Sequence, residues 1–143
     1  MNSDIAIILC TDDDLDRLAL MNKQLIEDEK HDNPMNADQL RVRMRDFIHT
    51  DYKAYKFVEQ DAVVGYALVN HQQHPLYLRQ FFISREYRRS GFGKLAFKKL
   101  LAALNTSAID IEVMYWNEAG YAFWKSLGFE ERSVYMRLDR ATE

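Results

Sequence analysis

Hydrophobic positions along this chain recur with two periods, near two and near 3.6 residues, and the switches between them mark the elements. Residues 4–10, Asp-Ile-Ala-Ile-Ile-Leu-Cys, are β-prone and predict a first strand. Thr11 with Asp14 three positions later reads as a capping box. Leu15, Leu18, Ala19, Leu25 and Ile26 then follow a helical stripe, which Asn33-Pro34 is expected to break. Asn36 with Gln39 caps a second helix, whose Leu40, Met44, Phe47 and Ile48 share one face. Residues 53–59 and 62–71 are rich in Tyr, Phe and Val, and the short polar turn Gln60-Asp61 joins them into an antiparallel hairpin.

Pro75 opens the next strand, 76–83, and a basic turn with two glycines follows at 84–93. Phe92, Ala96, Phe97, Leu100, Leu101 and Leu104 keep helical spacing, so a helix runs to about Leu104. Ile109, Ile111 and Val113 alternate and predict a strand over 109–115. Asn117 starts a short helix that Gly128 ends, and residues 129–138 predict a final strand or hairpin. The order β-α-α-β-β-β-α-β-α-β is that of an α+β fold with a mixed sheet. The unit of strand 76–83, helix and strand 109–115 is its one expected parallel crossover. There is no internal repeat and no linker, so residues 1–143 read as one domain.

Composition narrows the class. With 48% hydrophobic and 13% aromatic residues, the chain is not disordered. It has no apolar run long enough for a transmembrane helix. The N-terminus lacks the basic-then-apolar order of a secretory signal. A single cysteine, Cys10, excludes an intramolecular disulfide framework and a cysteine zinc site. His31, His49, His71 and His74 have no metal-ligand spacing, so no metal is expected. A soluble, reducing, cytoplasmic setting fits these features. The net charge of −3 hides two opposed segments. Residues 1–33 carry nine acids and three bases, whereas 85–99 carry six bases and one acid. One compact basic segment on an acidic chain fits a small polyanion held locally. It does not fit nucleic acid or a membrane. Two solvated helix faces are the simpler alternative.

The most informative stretch is Arg88-Arg89-Ser90-Gly91-Phe92-Gly93-Lys94, between a strand and a helix. Glycines let backbone N–H groups approach an anion closely, and the helix N-terminus and the flanking cations favour it. A pyrophosphate is a natural ligand, and a plain turn into a basic helix is the alternative. The Gly-x-Gly-x-x-Ala dinucleotide fingerprint matches formally at Gly91–Ala96. It comes too late in the chain, however, and after antiparallel strands. A P-loop pattern is absent.

In context, a strand ending Phe81-Phe82-Ile83 and then Arg-x-x-Gly-x-Gly resembles the acetyl-CoA motif of the GNAT N-acetyltransferase family. Downstream, Ile111-x-Val113, Asn117 and Phe123-Trp-Lys-Ser-Leu-Gly-Phe129 resemble that family's second signature. Residues 25–35 with 78–82 further resemble a small bacterial subgroup described as aminoglycoside-acetyltransferase-like. The resemblance implies a mostly antiparallel mixed sheet of six to seven strands with about four helices. It also implies acetyl-CoA as co-substrate, held in a splay between the two central strands. Phe81, Phe82 and Ile83 would lie along the pantetheine arm, with backbone groups of Phe81 and Ile83 pairing with its amides. Residues Arg88, Arg89, Ser90, Gly91, Phe92, Gly93 and Lys94 would hold the pyrophosphate. Asn117 would reach the arm, and the helix bearing Phe123 and Trp124 would flank it. Lys98 and Lys99 either meet the outer phosphate or are solvated.

Acetyl transfer needs a neutral amine, and a lysine-like amine is neutral only about once in 2,500 at pH 7. Glu112 is the first candidate base, because some relatives carry a glutamate five residues before the Asn. Glu27 and Glu29 are its rivals, or they attract a cationic acceptor. The family's usual acid is a Tyr seven residues after the Asn, but Trp124 stands there and an indole N–H cannot titrate. Tyr121 is a substitute. Tyr115, Trp116 and Tyr135 form acceptor walls or a dimer face. The expected function is direct acetyl transfer to a primary amine of a small cationic acceptor. The alternatives are protein or peptide acetylation, or a non-catalytic CoA-binding module. A homodimer is a possible assembly.

Overall fold

The computed structural model describes residues 4–142; Met1–Ser3 and Glu143, which the expected domain 1–143 includes, lie outside them. Among the described residues, one sheet carries five strands in the order β1 (Ala6–Leu9), β2 (Tyr52–Glu59), β3 (Ala62–Asn70), β4 (Leu76–Ile83) and β5 (Ile109–Ile111). The first three pairings are antiparallel and β4–β5 is parallel. Helices α1 (Leu15–Asp28) and α2 (Ala37–Ile48) precede the hairpin. Helix α3 (Phe92–Leu104) makes the crossover and α4 (Glu118–Ser126) follows β5. The α+β class, the mixed sheet, the four helices and the single parallel crossover are as the sequence predicts.

Local chemistry explains the boundaries. Thr11 and Asp14 form the expected capping box, which closes a 3-10 turn leading directly into α1. Asn36 and Gln39 form another at the start of α2. Gln60 and Asp61 both take positive φ (49° and 65°), the geometry of the tightest hairpin turns.

Three expectations are corrected. Helix α1 ends at Asp28, not at Asn33-Pro34, because Lys30 turns left-handed (φ 50°) before the proline is reached. The strand expected over 109–115 is paired only over Ile109–Ile111, since its ladder with β4 stops at Leu78. Residues 129–138 form no strand, for no ladder pairs them with the outer edge of β5. The sheet therefore has five described strands, not six or seven.

Two apolar layers sandwich the sheet. Phe57, Val64, Ala67, Val69, Phe97 and Leu100 pack on the α3 side. Leu15, Leu18, Met44, Tyr66, Leu68 and Phe82 pack on the α1–α2 side. Alternation along β4 sends Phe81 to the first layer and Phe82 to the second. Gly65 on β3 allows the close β3–β4 approach, because a Cβ there would overlap the Phe82 carbonyl oxygen and sit 3.1 Å from the Phe57 ring. Gly65→Ala is expected to cost about 3 kcal/mol, the upper end for overpacking. Urea denaturation followed by circular dichroism checks it, and an unchanged midpoint would refute the contact.

Candidate functional site

The basic turn after β4 is built by its backbone. Arg89 (φ 71°) and Gly91 (φ 78°) both adopt left-handed conformations, and Gly91 is the N-cap of α3. No side chain caps that helix. The N–H groups of Phe92, Gly93 and Lys94 are thus left to an outside acceptor, with the positive end of the helix dipole behind them. Ser90, Gly91 and Lys94 are exposed, while Phe92 turns inward against Tyr87 at 5.4 Å. Among the described residues, Arg89 and Lys94 have no carboxylate partner. On the strand side, β4 and β5 pair only at Leu76–Leu78, so Arg79–Ile83 diverge from the strand beside them. An uncapped helix start next to a diverging strand pair fits a phosphate-bearing ligand with an extended arm.

Arg88 lies differently from its neighbours. It donates through Nε to the Ile83 carbonyl (2.7 Å) and through Nη2 to Asp28 (2.7 Å). Arg85 donates to the same Asp28 carboxylate at 2.6 Å. Burial opposes ionisation of Asp28, but the hydrogen bonds and charges of Arg88 and Arg85 outweigh it and hold the carboxyl below its usual range. This clamp ties the end of α1 to the basic turn. Asp28→Asn is expected to lose about 1.5–3 kcal/mol, the range for hydrogen bonds to charged groups. Urea denaturation at pH 7 measures it, and a change under a few tenths of that would mean the pairs are solvated.

The aromatic candidates form one cluster. Phe81 lies 5.3 Å from Trp124 and 6.0 Å from Phe123, and Trp124 lies 5.4 Å from Phe97 and 5.3 Å from Phe129. Trp124 therefore packs α4 against β4 and α3. Asn117 uses Oδ1 to accept from the Gly120 N–H (3.0 Å) and so caps α4.

The carboxylate candidates separate. Glu112 is exposed and accepts from the Tyr77 hydroxyl at 3.2 Å. Glu27 is exposed, 4.0 Å from Lys23. Glu29 is partly buried. Burial, and then the charge of Asp28, push its carboxyl up to about 7. Among the described residues no cation pairs with it. The carbonyls of Glu29 and Lys30 accept from the Trp116 indole at 3.1 and 3.2 Å, which fixes this segment against the loop after β5. Tyr121 is exposed and donates to Glu131 at 2.6 Å, on the outer side of α4. The structure does not bring it to Glu29 or to the basic turn. Lys99 reaches the Ile5 carbonyl (3.3 Å) and Asp4 (3.6 Å), whereas Lys98 is exposed.

Sequence reasoning missed a polar group inside the second layer. Tyr66 is fully buried and donates to Gln80 at 2.7 Å. Burial, and then the Glu29 carboxylate, push its hydroxyl well above the ordinary range, so it stays a donor. Arg43 Nη2 donates to the buried Asn22 at 3.3 Å. Asn22, a polar residue within the apolar stripe of α1, was the one visible signal. Most other acids of the N-terminal third have partners: Asp12 with His49, Asp14 with Lys56, Asp16 with Arg41. Burial, and then Asp14, push the Cys10 thiol up to about 12, so it is inert. Among the described residues no group of three or more His, Cys, Asp or Glu could hold a metal ion, and no helix is long and apolar enough to cross a membrane. A cavity of about 560 Å³ lies between Thr11, His49, Tyr52 and Ala54 and shares no wall with β4 or the basic turn.

An uncapped helix start at Gly91 in a basic turn, beside a diverging parallel strand pair, is an open anion-binding geometry at the mouth of a cleft. The sequence model of the acetyltransferase (GNAT) family matches residues 20–129, and the chain belongs to that family. No curated protein matches. Solved structures share the fold at low identity. The aminoglycoside N-acetyltransferase AAC(6')-Iy in complex with CoA is 16% identical, with a TM-score of 0.73, 98% of this chain covered and 97% of that one. A protein from Clostridium acetobutylicum described as a predicted acetyltransferase, with acetyl-CoA, is 12% identical, at 0.74 with 98% and 99% covered. A ribosomal-protein-alanine N-acetyltransferase from Brucella melitensis biovar Abortus 2308 is 13% identical, at 0.72 with 94% and 100% covered.

Proposed function

We propose that this protein transfers the acetyl group of acetyl-CoA directly to a primary amine of a small cationic acceptor, with Glu29 as the base. The observation that carries the reading is the uncapped start of α3, entered through left-handed Gly91 in a basic turn. It is a ready site for the pyrophosphate of the co-substrate, with Arg89 and Lys94 supplying charge. Support for the acceptor side comes from Glu29, a carboxylate without a cation among the described residues, raised to about 7 and fixed near the loop after β5. A cationic amine supplies the missing charge.

The acceptor's ammonium gives one proton to Glu29. The freed nitrogen attacks the thioester carbonyl carbon. The new C–N bond forms, the C–S bond breaks, and the thiolate leaves and takes up the second proton of the nitrogen, directly or through water. With a thiol pKa near 8.5, this departure needs no strong acid. That suits a chain in which Trp124 replaces the expected Tyr and Tyr121 points to Glu131. Incubating the protein with acetyl-CoA and a panel of polyamines, aminoglycosides, amino acids and peptides, and following thiol release, tests the reading. Release with a polyamine or aminoglycoside is expected. No release with any acceptor, despite acetyl-CoA raising the melting temperature, would select the non-catalytic alternative.

A second reading, acetylation of a peptide or protein terminus, is favoured by Glu112. Its exposed carboxylate, oriented by Tyr77, is open to a chain end. Mass shifts on peptides alone would select it.

A further inference from the structure

We propose, resting on the acceptor reading above, that the acceptor is a diamino acid rather than a diamine, and that Arg43 and Arg79 hold its carboxylate while Glu29 takes its amine. Arg43 comes from α2 and Arg79 from β4, and both lie over one ring. Their guanidinium carbons stand 5.3 and 4.8 Å from the centroid of Phe47, and Arg79 is also 5.9 Å from that of Tyr52. Stacking on an aromatic face positions a cation without neutralising it. Among the described residues neither arginine has a carboxylate within ion-pair distance. Arg43 is partly buried and thinly hydrogen-bonded: Nη2 donates to Asn22 at 3.3 Å, and Nε is shut from solvent with no acceptor. Arg79 donates to the Tyr52 hydroxyl at 3.4 Å. Burial, and then the charge of Arg79, lower the Arg43 pKa from its usual value, so the two guanidiniums repel each other. Two like charges around one ring, one of them half-buried, are costly until an anion joins them.

The pair stands at the mouth of the cleft. In the β3–β4 ladder Leu68 faces Gln80 and Val69 faces Leu78, so Arg79 is the extra residue of a β-bulge. A bulge re-aims a side chain, and here it sends Arg79 to the Phe47 side of the sheet. Arg79 also directly follows the last β4–β5 rung, Leu78 with Ile111, so it marks where the two strands begin to diverge. The link to Glu29 runs along α1. Asn22, which holds Arg43, lies two helical turns before Glu29 on the same face, about 10 Å away. The buried Tyr66 hydroxyl feels the charges of both Glu29 and Arg43. Among the described residues, one end of this face is a carboxylate without a cation and the other a pair of cations without a carboxylate.

A molecule with an amine at one end and a carboxylate at the other supplies both missing charges. The guanidinium fork matches the two oxygens of a carboxylate. A phosphate fits the fork too, but its charge of close to two would leave a diamine without net charge, whereas a carboxylate leaves it cationic. A diamino acid therefore brings an amine for Glu29, an anion for the arginines and a net positive charge. A plain diamine reaches Glu29 but leaves Arg43 and Arg79 uncompensated.

The test uses matched pairs that differ only by the carboxylate: 2,4-diaminobutyrate and 1,3-diaminopropane, ornithine and putrescine, lysine and cadaverine. Thiol release from acetyl-CoA gives kcat/KM for each. In the pair whose length suits the site, the acid should exceed its diamine about ten- to a hundredfold, the worth of hydrogen bonds to a charged group. Arg79→Met, at an exposed position, should abolish that preference by raising the KM of the acid. Equal kcat/KM within every pair overturns the proposal and leaves direct transfer standing. A preference that survives Arg79→Met overturns it as well. Binding is read separately, from the arginine Nε–H signals of the 15N-labelled protein with CoA. No release with any acceptor, but a shifted Arg43 signal with an acid and not with its diamine, would overturn transfer and support the carboxylate site. Neither release nor a shift would overturn both.

Discussion

Glu29→Gln is expected to lower turnover by about 10²–10⁴-fold, the usual contribution of a positioned base. Its pH profile should change as well. With Glu29 raised to about 7, the wild-type kcat/KM should rise with pH through an acid limb near neutrality, because only the ionised carboxylate accepts a proton. The variant should lose that limb. A stability measurement reads the same group without any acceptor. A carboxyl whose folded pKa is raised binds its proton more tightly in the fold than in the unfolded chain. Wild-type stability should therefore fall as pH rises from about 4.5 to 7, and Glu29→Gln should abolish that fall. Melting curves over this window check it. A flat wild-type profile would mean that Glu29 is solvated and would remove it from the proposed chemistry. Asp28 contributes to the shift, so Asp28→Asn should move the acid limb to lower pH.

Gly91→Val is expected to weaken acetyl-CoA binding about ten- to a hundredfold. The position has φ 78°, which a β-branched residue adopts only at a cost of about 1–3 kcal/mol. Crowding against the protein itself is not the cause, for a Cβ there would meet no protein atom within 4 Å. The strain falls on the backbone that orients the first N–H groups of α3. Calorimetric titration with acetyl-CoA measures it, and unchanged affinity would remove the turn from the phosphate site. Gly91→Ala should give a smaller loss, since a single methyl is less restricted than a branched side chain.

What the sequence made legible was mostly local. The bounds of β4 and α3, both capping boxes and the Gln60-Asp61 turn follow from residues within one turn of each other. The turn at 88–94 was legible for the same reason, because a glycine pattern between a strand and a helix already contains its geometry. The illegible parts depend on distant partners. The length of β5 is set by where β4 stops pairing with it, and the end of α1 by a left-handed residue that carries no side-chain signature. Glu112 is exposed, and nothing near it in sequence announces Tyr77. In the sequence Glu29 stood with Glu27 as a rival to Glu112, with nothing to separate the two. Only the fold shows that Asp12, Asp14, Asp16 and Asp28 have cations of their own while Glu29 has none among the described residues, and that the Glu29 charge reaches the Tyr66 hydroxyl. The acidic patch as a whole is thus a poor guide to an acceptor, and one carboxylate is a better one.

The Asp28 clamp changes how the basic turn should be credited. Arg88 is not an idle cation waiting for a phosphate, because it already has a carboxylate and a backbone carbonyl as partners. A phosphate that recruited Arg88 would be exchanging one ion pair for another, and the net gain from such an exchange is small. The anion affinity of this turn should therefore rest on Arg89, Lys94 and the helix amides. The arginine that stands first in the motif serves instead as a rivet between the end of α1 and the end of β4.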